Sequence, residues 1–176
     1  MIETERLRLR PPRTEDQAAV AELIGDPDVM RFIGNGETGD ADDAAAQIES
    51  MQRGWSEDGF GRFIVVRKED GAAIGRVGPL AWDPRLWRSG IRAEIGNEAE
   101  IELGWTLLRS AWGQGYATEA AAAARDWILR EIRPRRLISL IHPENERSLR
   151  VASKLGERFD CWVETHRGIR VQLWSF

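Results

Sequence analysis

Polar and apolar positions alternate at the start of the chain, where Leu7 and Leu9 stand between Arg6, Arg8 and Arg10. That two-residue period predicts a strand wet on one face, which Pro11-Pro12 ends. Thr14 followed by Gln17 resembles a capping box, and Ala18, Ala19, Ala21, Leu23 and Ile24 continue as a helix stopping at Gly25. The stretch 26–33 has room for a short turn of helix. Gly34-Asn-Gly36 and Gly39 then make a loop before a second helical run from Ala41 to about Gly54. Phe63-Ile-Val-Val66 is rich in β-formers, and Glu69-Asp70-Gly71 turns it into a hairpin with the run from Ala73 to Trp82.

The segment from Asp83 to Asn97 carries Pro84, Gly90 and Gly96 and reads as a loop. A strand is predicted from Ala99 to Leu108, then Gly113-Gln-Gly115 and an alanine-rich helix from Ala117 to Ile132. Its Ala117, Ala120, Ala121, Ala124, Trp127 and Ile128 fall at helical spacing, and the small side chains let the helix lie close to a sheet. Arg133, restricted by Pro134, closes it. Leu137 to Ile141 is a continuous apolar run, as in a strand buried on both faces. Asn145 reads as the N-cap of a helix with Leu149, Ala152 and Leu155 on one face, ended by Gly156. From Cys161 to Phe176 the pattern predicts two strands turning at Arg167-Gly168. The order β-α-α-β-β-β-α-β-α-β-β makes a mixed α/β layer fold, taken as a single domain over residues 1–176.

The 176 residues are 42% hydrophobic and 31% charged, enough for one sizeable core and without a disordered composition. Lys plus Arg number 25 and Asp plus Glu 29, a net charge of −4. Phosphate-backbone binders are normally strongly basic, so nucleic acid is disfavoured as the main partner. No apolar run approaches the roughly 20 residues that span a bilayer. The start, with Glu3 and Glu5, lacks a signal peptide's apolar centre. The expectation is a cytoplasmic protein without a membrane partner. The lone Cys161 excludes an internal disulfide, and with His142 and His166 as the two histidines no metal is expected.

Chemistry concentrates between Glu100 and Ala120, where a strand ends and a Gly-x-Gly turn opens the long helix. The first turn of a helix has unpaired backbone N–H groups and about half a positive charge. Glycine at 113 and 115 removes the Cβ atoms that would hold a phosphate off. Donors from Gly113, Gln114, Gly115, Tyr116, Ala117 and Thr118 would together cradle a pyrophosphate. A tight loop entering a helix accounts for Gly-x-Gly about as often. The stretch is not a Rossmann fingerprint, since Thr118 stands where the third glycine belongs, nor a Walker loop, since no Gly-Lys-Ser/Thr follows.

The string Trp112-Gly-Gln-Gly115-Tyr-Ala117-Thr-Glu-Ala120, with Asn145-x-x-Ser148 and Lys154-Leu-Gly156 beyond the next strand, resembles the GNAT superfamily of acetyl-CoA-dependent N-acetyltransferases. Thr4-Glu-Arg-Leu-Arg-Leu-Arg10, Gly75 and Glu102-Leu-Gly104-Trp105 are similar to its branch that acetylates ribosomal-protein N-termini (RimJ/RimL-like). Gly115 and Ala117 fill the last two places of the superfamily's Gln/Arg-x-x-Gly-x-Gly/Ala motif, and Trp112 replaces the leading Gln/Arg. The resemblance implies a GNAT fold: a mixed, mostly antiparallel sheet with helices on both faces, splayed between the strands at 99–108 and 137–141. It implies acetyl-CoA as donor, its pantetheine arm lying in that gap against main-chain groups near Thr106 and Leu107. The Leu107 N–H would face the thioester carbonyl, and the Asn145 amide would touch the arm. The acceptor implied is a primary amine, on a small molecule or a protein N-terminus. The oligomeric state is left open, a homodimer included.

An amine attacks a thioester only when neutral, so a base is required, and the departing thiolate benefits from an acid. Alternation places Glu98, Glu100, Glu102 and Gly104 on one strand face, with Ile101, Leu103, Trp105 and Leu107 on the other. Glu102, near the splay, is the candidate base; a wet sheet face with Arg76 pairing across strands is the alternative. The resemblance offers Ser148, or a water, as acid, since Ala152 stands where many members carry a tyrosine. A helix-start serine bonded locally is the alternative. Arg109, just before the cradle, is a candidate for the cofactor's phosphates, whereas Arg147, Arg150 and Lys154 read more simply as a solvated helix face.

Among the eight tryptophans, Trp105, Trp127 and Trp162 fit core positions, and Trp82 and Trp87 are candidates to wall an acceptor pocket. His142 reads as structural, His166 as a turn residue, and Cys161 as a packed thiol. Glu94 to Glu102 holds four carboxylates and no basic residue, a strip that would attract a cationic acceptor or simply be solvated. Two other readings remain: a non-catalytic CoA-sensing or partner-binding module that keeps the cradle, and a nucleotide phosphate-binding domain.

Overall fold

The computed structural model describes residues 1–176. Nine strands form one sheet: β1 (Ile2–Glu3), β2 (Leu7–Arg10), β3 (Phe63–Arg67), β4 (Ala73–Asp83), β5 (Arg88–Gly90), β6 (Glu100–Leu107), β7 (Leu137–Ile141), β8 (Arg158–Glu164) and β9 (Arg170–Ser175). The helices are α1 (Gln17–Gly25), α2 (Pro27–Met30), α3 (Ala41–Glu57), α4 (Arg92–Ile95), α5 (Tyr116–Glu131) and α6 (Glu146–Leu155). The spatial order is β1-β2-β3-β4-β6-β7-β9-β8, with β5 paired onto the end of β4. Only β6 and β7 run parallel; the remaining pairings are antiparallel.

Alternation along the strands sends two apolar sets to opposite faces. Leu7, Leu9, Phe63, Val65, Val77 and Leu103 meet α5, whose Ala120, Ala121 and Ala124 are completely buried. The missing bulk lets that helix backbone approach the sheet, as the alanine stripe predicts. Ile64 and Val66 on the other face meet Val20 and Ile24 of α1 and Ala44, Ile48 and Met51 of α3. Trp127 packs against Trp55 and Phe63, with ring centroids 5.8 and 5.1 Å apart. No helix is long and apolar enough to cross a membrane.

Several expectations are corrected. The entry to α1 is held by Asp16, not Thr14: its carboxylate accepts the Arg13 N–H at 2.7 Å and both ends of the Arg10 fork at 2.7 and 2.6 Å. The stretch 83–97 contains β5 and α4 instead of loop alone. The Asp58 carboxylate, from beyond α3, accepts the N–H groups of Arg92 and Ala93 at 2.7 and 2.9 Å and so starts α4 from a distant part of the chain. Trp162 and Cys161 are not packed: β8 is an outermost strand, and both side chains are exposed.

The sheet parts between β6 and β7. Their pairing covers Ile101 with Leu137 and Glu102 with Ile138, although β6 runs on to Leu107 and β7 to Ile141. Beyond that point Ser139 Oγ donates to the Leu103 carbonyl at 2.8 Å, and the strands then diverge into a cleft of about 1220 Å³.

Candidate active site

One end of the cleft is a ring of amides. After β6 a single 3-10 turn over Arg109–Ala111 leads to Gly113 and Gly115, whose φ values of +77° and +82° suit glycine alone. None of the six main-chain N–H groups from Gly113 to Thr118 finds a backbone acceptor, because they precede the first closed turn of α5. A Cβ on Gly113 would meet nothing within 4 Å, and one on Gly115 would meet Arg6 Nη2 at 3.3 Å. This all-donor set at the positive end of a sixteen-residue helix fits a diphosphate, which offers only acceptors.

Arg6 braces the ring from β2's approach. Its Nη1 donates to the Gln114 carbonyl at 2.9 Å, its guanidinium lies 4.5 Å above the Tyr116 ring, and Nη2 pairs with Glu119 at 2.7 Å. Thr4 Oγ1 donates to the same carboxylate at 2.6 Å. Gln114 Nε2 turns back to the Ser110 carbonyl. Arg109 is directed away from the cleft: it pairs with Asp26 and Asp28 at 3.3 and 2.9 Å and is not a lining residue. Arg147, Arg150 and Lys154 are exposed, as a solvated helix face requires, and they also line the cleft, where the Arg147 guanidinium stacks 3.9 Å over Trp112.

At the parting of the strands, Leu108 N–H donates to the Ile74 carbonyl at 2.9 Å. In an antiparallel ladder hydrogen-bonded pairs alternate, so the neighbouring pair Gly75–Leu107 is not hydrogen-bonded and the Leu107 N–H points away from β4, into the gap. The Leu107 carbonyl accepts from Trp112 Nε1 at 2.9 Å. Gly75 permits this close pairing: a Cβ there would lie 2.3 Å from the Thr106 oxygen and 2.7 Å from Leu107 Cα.

Deeper in, Glu102 is 7% exposed. Its face of β6 is therefore not a wet one. The residue opposite is Leu80, not Arg76, and the carboxylate accepts from Trp82 Nε1 at 2.7 Å and from the Leu140 N–H. Burial pushes its pKa up; the Arg62 charge, the two donors and Arg76 oppose that rise. Of its acidic neighbours, Glu94 pairs with Arg53 at 2.5 Å and Glu100 with Arg136 at 2.8 Å, which leaves the exposed Glu98 as the one carboxylate of that strip facing solvent without an ion pair. Trp82 lines the cleft, as does half-buried Trp105, but Trp87 does not.

Asn145 caps α6, its Oδ1 accepting the Ser148 N–H at 3.2 Å, and both residues line the cleft. Ala152 is fully buried. His142 also lines the cleft, stacked on Phe32 at 5.0 Å. Ser139 Oγ, already donating to Leu103, sits 3.0 Å from Glu157 Oε1. The hydroxyl donates to both acceptors, its one proton shared between the Leu103 carbonyl and the Glu157 carboxyl. Burial raises Glu157 to about 7, against the Ser139 hydrogen bond that lowers it. Three residues that sequence reasoning did not assign to the site also line it: Arg62, Arg76 and Gln47.

A sequence profile for the acetyltransferase (GNAT) domain matches residues 6–158. The chain is 31% identical to the Bacillus subtilis (strain 168) protein YkkB over 157 residues, 89% of this chain and 84% of that one. An acetyltransferase from Agrobacterium tumefaciens superposes with a TM-score of 0.78 at 27% identity, covering 99% of this chain and 92% of its own. RimL, a ribosomal L7/L12 α-N-protein acetyltransferase solved with coenzyme A, shares the fold, with a TM-score of 0.75 at 13% identity over 98% and 94% of the two chains. With the donor ring, the parted strands and a profile match across most of its length, the chain belongs to the GNAT family of acetyltransferases.

Proposed function

We propose that the protein, as one domain over its 176 residues, moves an acetyl group from acetyl-CoA to a primary amine by direct attack on the thioester. Acetyl-CoA would supply the activated acyl group. The six amides from Gly113 to Thr118 hold its diphosphate, with Arg147, Arg150 and Lys154 near enough to neutralise outer phosphates. Main-chain groups of Thr106 and Leu107 hold the arm in the gap, and the Leu107 N–H stabilises negative charge on the carbonyl oxygen. Glu102 takes the proton from the incoming ammonium, directly or through water, and Ser148 gives a proton to the departing sulfur. The observation that carries this reading is the run of six amides without acceptors beside a sheet that opens at Leu107.

Thiol release from acetyl-CoA, screened against N-terminal peptides, polyamines and aminoglycosides, tests it. Acceptor-dependent release is expected. CoA binding by calorimetry with no release from any amine would instead make the protein a CoA-binding module, which the buried Ala152 in place of a phenol favours. ATP binding more tightly than CoA would favour the nucleotide-binding reading.

A further inference from the structure

The floor of the cleft is laid out by the β4–β6 register: Arg76 opposite Thr106, Gly78 opposite Gly104, Leu80 opposite Glu102. Every second residue shares a face, so Arg76, Thr106, Gly104 and Glu102 project toward α3, whose Gln47, Ser50 and Met51 wall the same space. No side chain rises from the Gly78–Gly104 pair between them. Arg62 enters from the end of β3.

The charges here do not balance. Arg76 is 5% exposed; its one hydrogen bond, from Nη1, goes to the neutral Gln47 Oε1, and its Nε has no partner. Arg62 adds a second guanidinium with no hydrogen bond to an acid. The single carboxylate within reach of both, Glu102, is already bonded to Trp82 and the Leu140 N–H. A buried, unpaired guanidinium is costly unless a counter-charge arrives.

We propose that Arg62 and Arg76 form a subsite for an oxyanion of the acceptor, so that the amine substrate is a small molecule that also carries a carboxylate or a phosphate. The inference rests on the transferase reading above. The acceptor's ammonium faces Glu102 and its anionic group faces the two arginines, across the floor of glycines. A polyamine is the wrong chemistry, since its second ammonium would meet two guanidinium groups. Burial and the Arg62 charge hold Arg76 down to about 9, still cationic at neutral pH, and an arriving anion relieves both. Arg in place of Lys suits planar, bidentate capture of such a group.

Steady-state thiol release with matched acceptors decides it: alanine against alaninamide, and O-phosphoethanolamine against ethanolamine. The anionic member of at least one pair is expected to have a kcat/KM about 10- to 100-fold higher; the pair that shows it tells carboxylate from phosphate. Arg62→Gln and Arg76→Gln should bring that ratio toward one while the acetyl-CoA Kd is unchanged. Should Arg76→Gln fail to fold, Arg62→Gln, at a less buried position, decides alone. Equal rates within both pairs, or a preference that survives the substitutions, overturns the subsite and leaves the transferase reading standing. If no amine is turned over although acetyl-CoA binds, the transferase reading falls, and tryptophan fluorescence with inorganic phosphate judges the subsite. A saturable change lost in Arg62→Gln sustains it; no saturable change, or one unaffected by the substitution, overturns it.

Discussion

Trp82 Nε1 lies 2.7 Å from Glu102 Oε2, a hydrogen bond between two strands that holds a buried carboxylate at the foot of the cleft. The indole stabilises the charged form that a base must have, against the burial that favours the neutral one. Glu102→Gln should therefore lower kcat by about 100-fold or more with little change in acetyl-CoA affinity. Equal rates for the two forms would remove Glu102 from the base role.

Trp82→Phe leaves the carboxylate in place and removes one donor to it. The acid limb of kcat/KM should move to higher pH, with maximal rate recovered at alkaline pH. A limb that stays where it was would mean that another group sets the profile.

The raised pKa of Glu157 gives stability a pH dependence. Its pKa is about 7 when folded and near the ordinary 4.5 when unfolded, so between those values the folded chain holds the extra proton and stability falls as pH rises. Glu157→Gln keeps the amide within reach of Ser139 and abolishes the titration. Relative to the wild type it should gain on the order of 3 kcal/mol above pH 7 and nothing below about pH 4.5. Denaturant melts at pH 5 and pH 8 measure this, and a difference between the two forms that does not change with pH would contradict it.

Gly75→Ala puts a methyl group into the Thr106 carbonyl and the Leu107 backbone. The end of β6 must shift, at a cost of about 2 kcal/mol or more, and the Leu107 N–H shifts with it. Thermal melts should show the loss, and kcat should fall at saturating acetyl-CoA.

Glu119→Ala severs bonds to Thr4, the Arg6 N–H and the Arg6 guanidinium. Hydrogen exchange should quicken across β1 and β2, and acetyl-CoA affinity should drop several-fold as Arg6 stops bracing Gln114 and Tyr116. Unchanged affinity would show that the glycine turn keeps its shape without the brace.

What the sequence made legible follows the range of the forces involved. The helix over 116–131 and the hairpin around Asp70 come from local periodicity and turn chemistry, and the reading found them. β5 and α4 went unseen because α4 is started by Asp58, more than thirty residues away. Arg109 and Arg147 were exchanged in expectation: closeness in sequence favoured Arg109, but the acids at 26 and 28 claim it, while the fold lays Arg147 on Trp112. Trp162 shows the same limit, since alternation marks a strand without saying that it lies at the rim. Nothing local marks Arg62 and Arg76 as companions; the β3–β4 pairing sets Ile64 opposite Arg76, and Arg62 stands two residues before Ile64 on the same strand face.

The parting of β6 from β7 gives this sheet a free margin at its centre, under helices on either side. Margins at a periphery invite pairing with other chains and are usually blunted. An interior one is shielded from that fate and admits only something thin and extended. The hydrogen bonds forgone there thus choose the shape of the visitor before any side chain reads its chemistry.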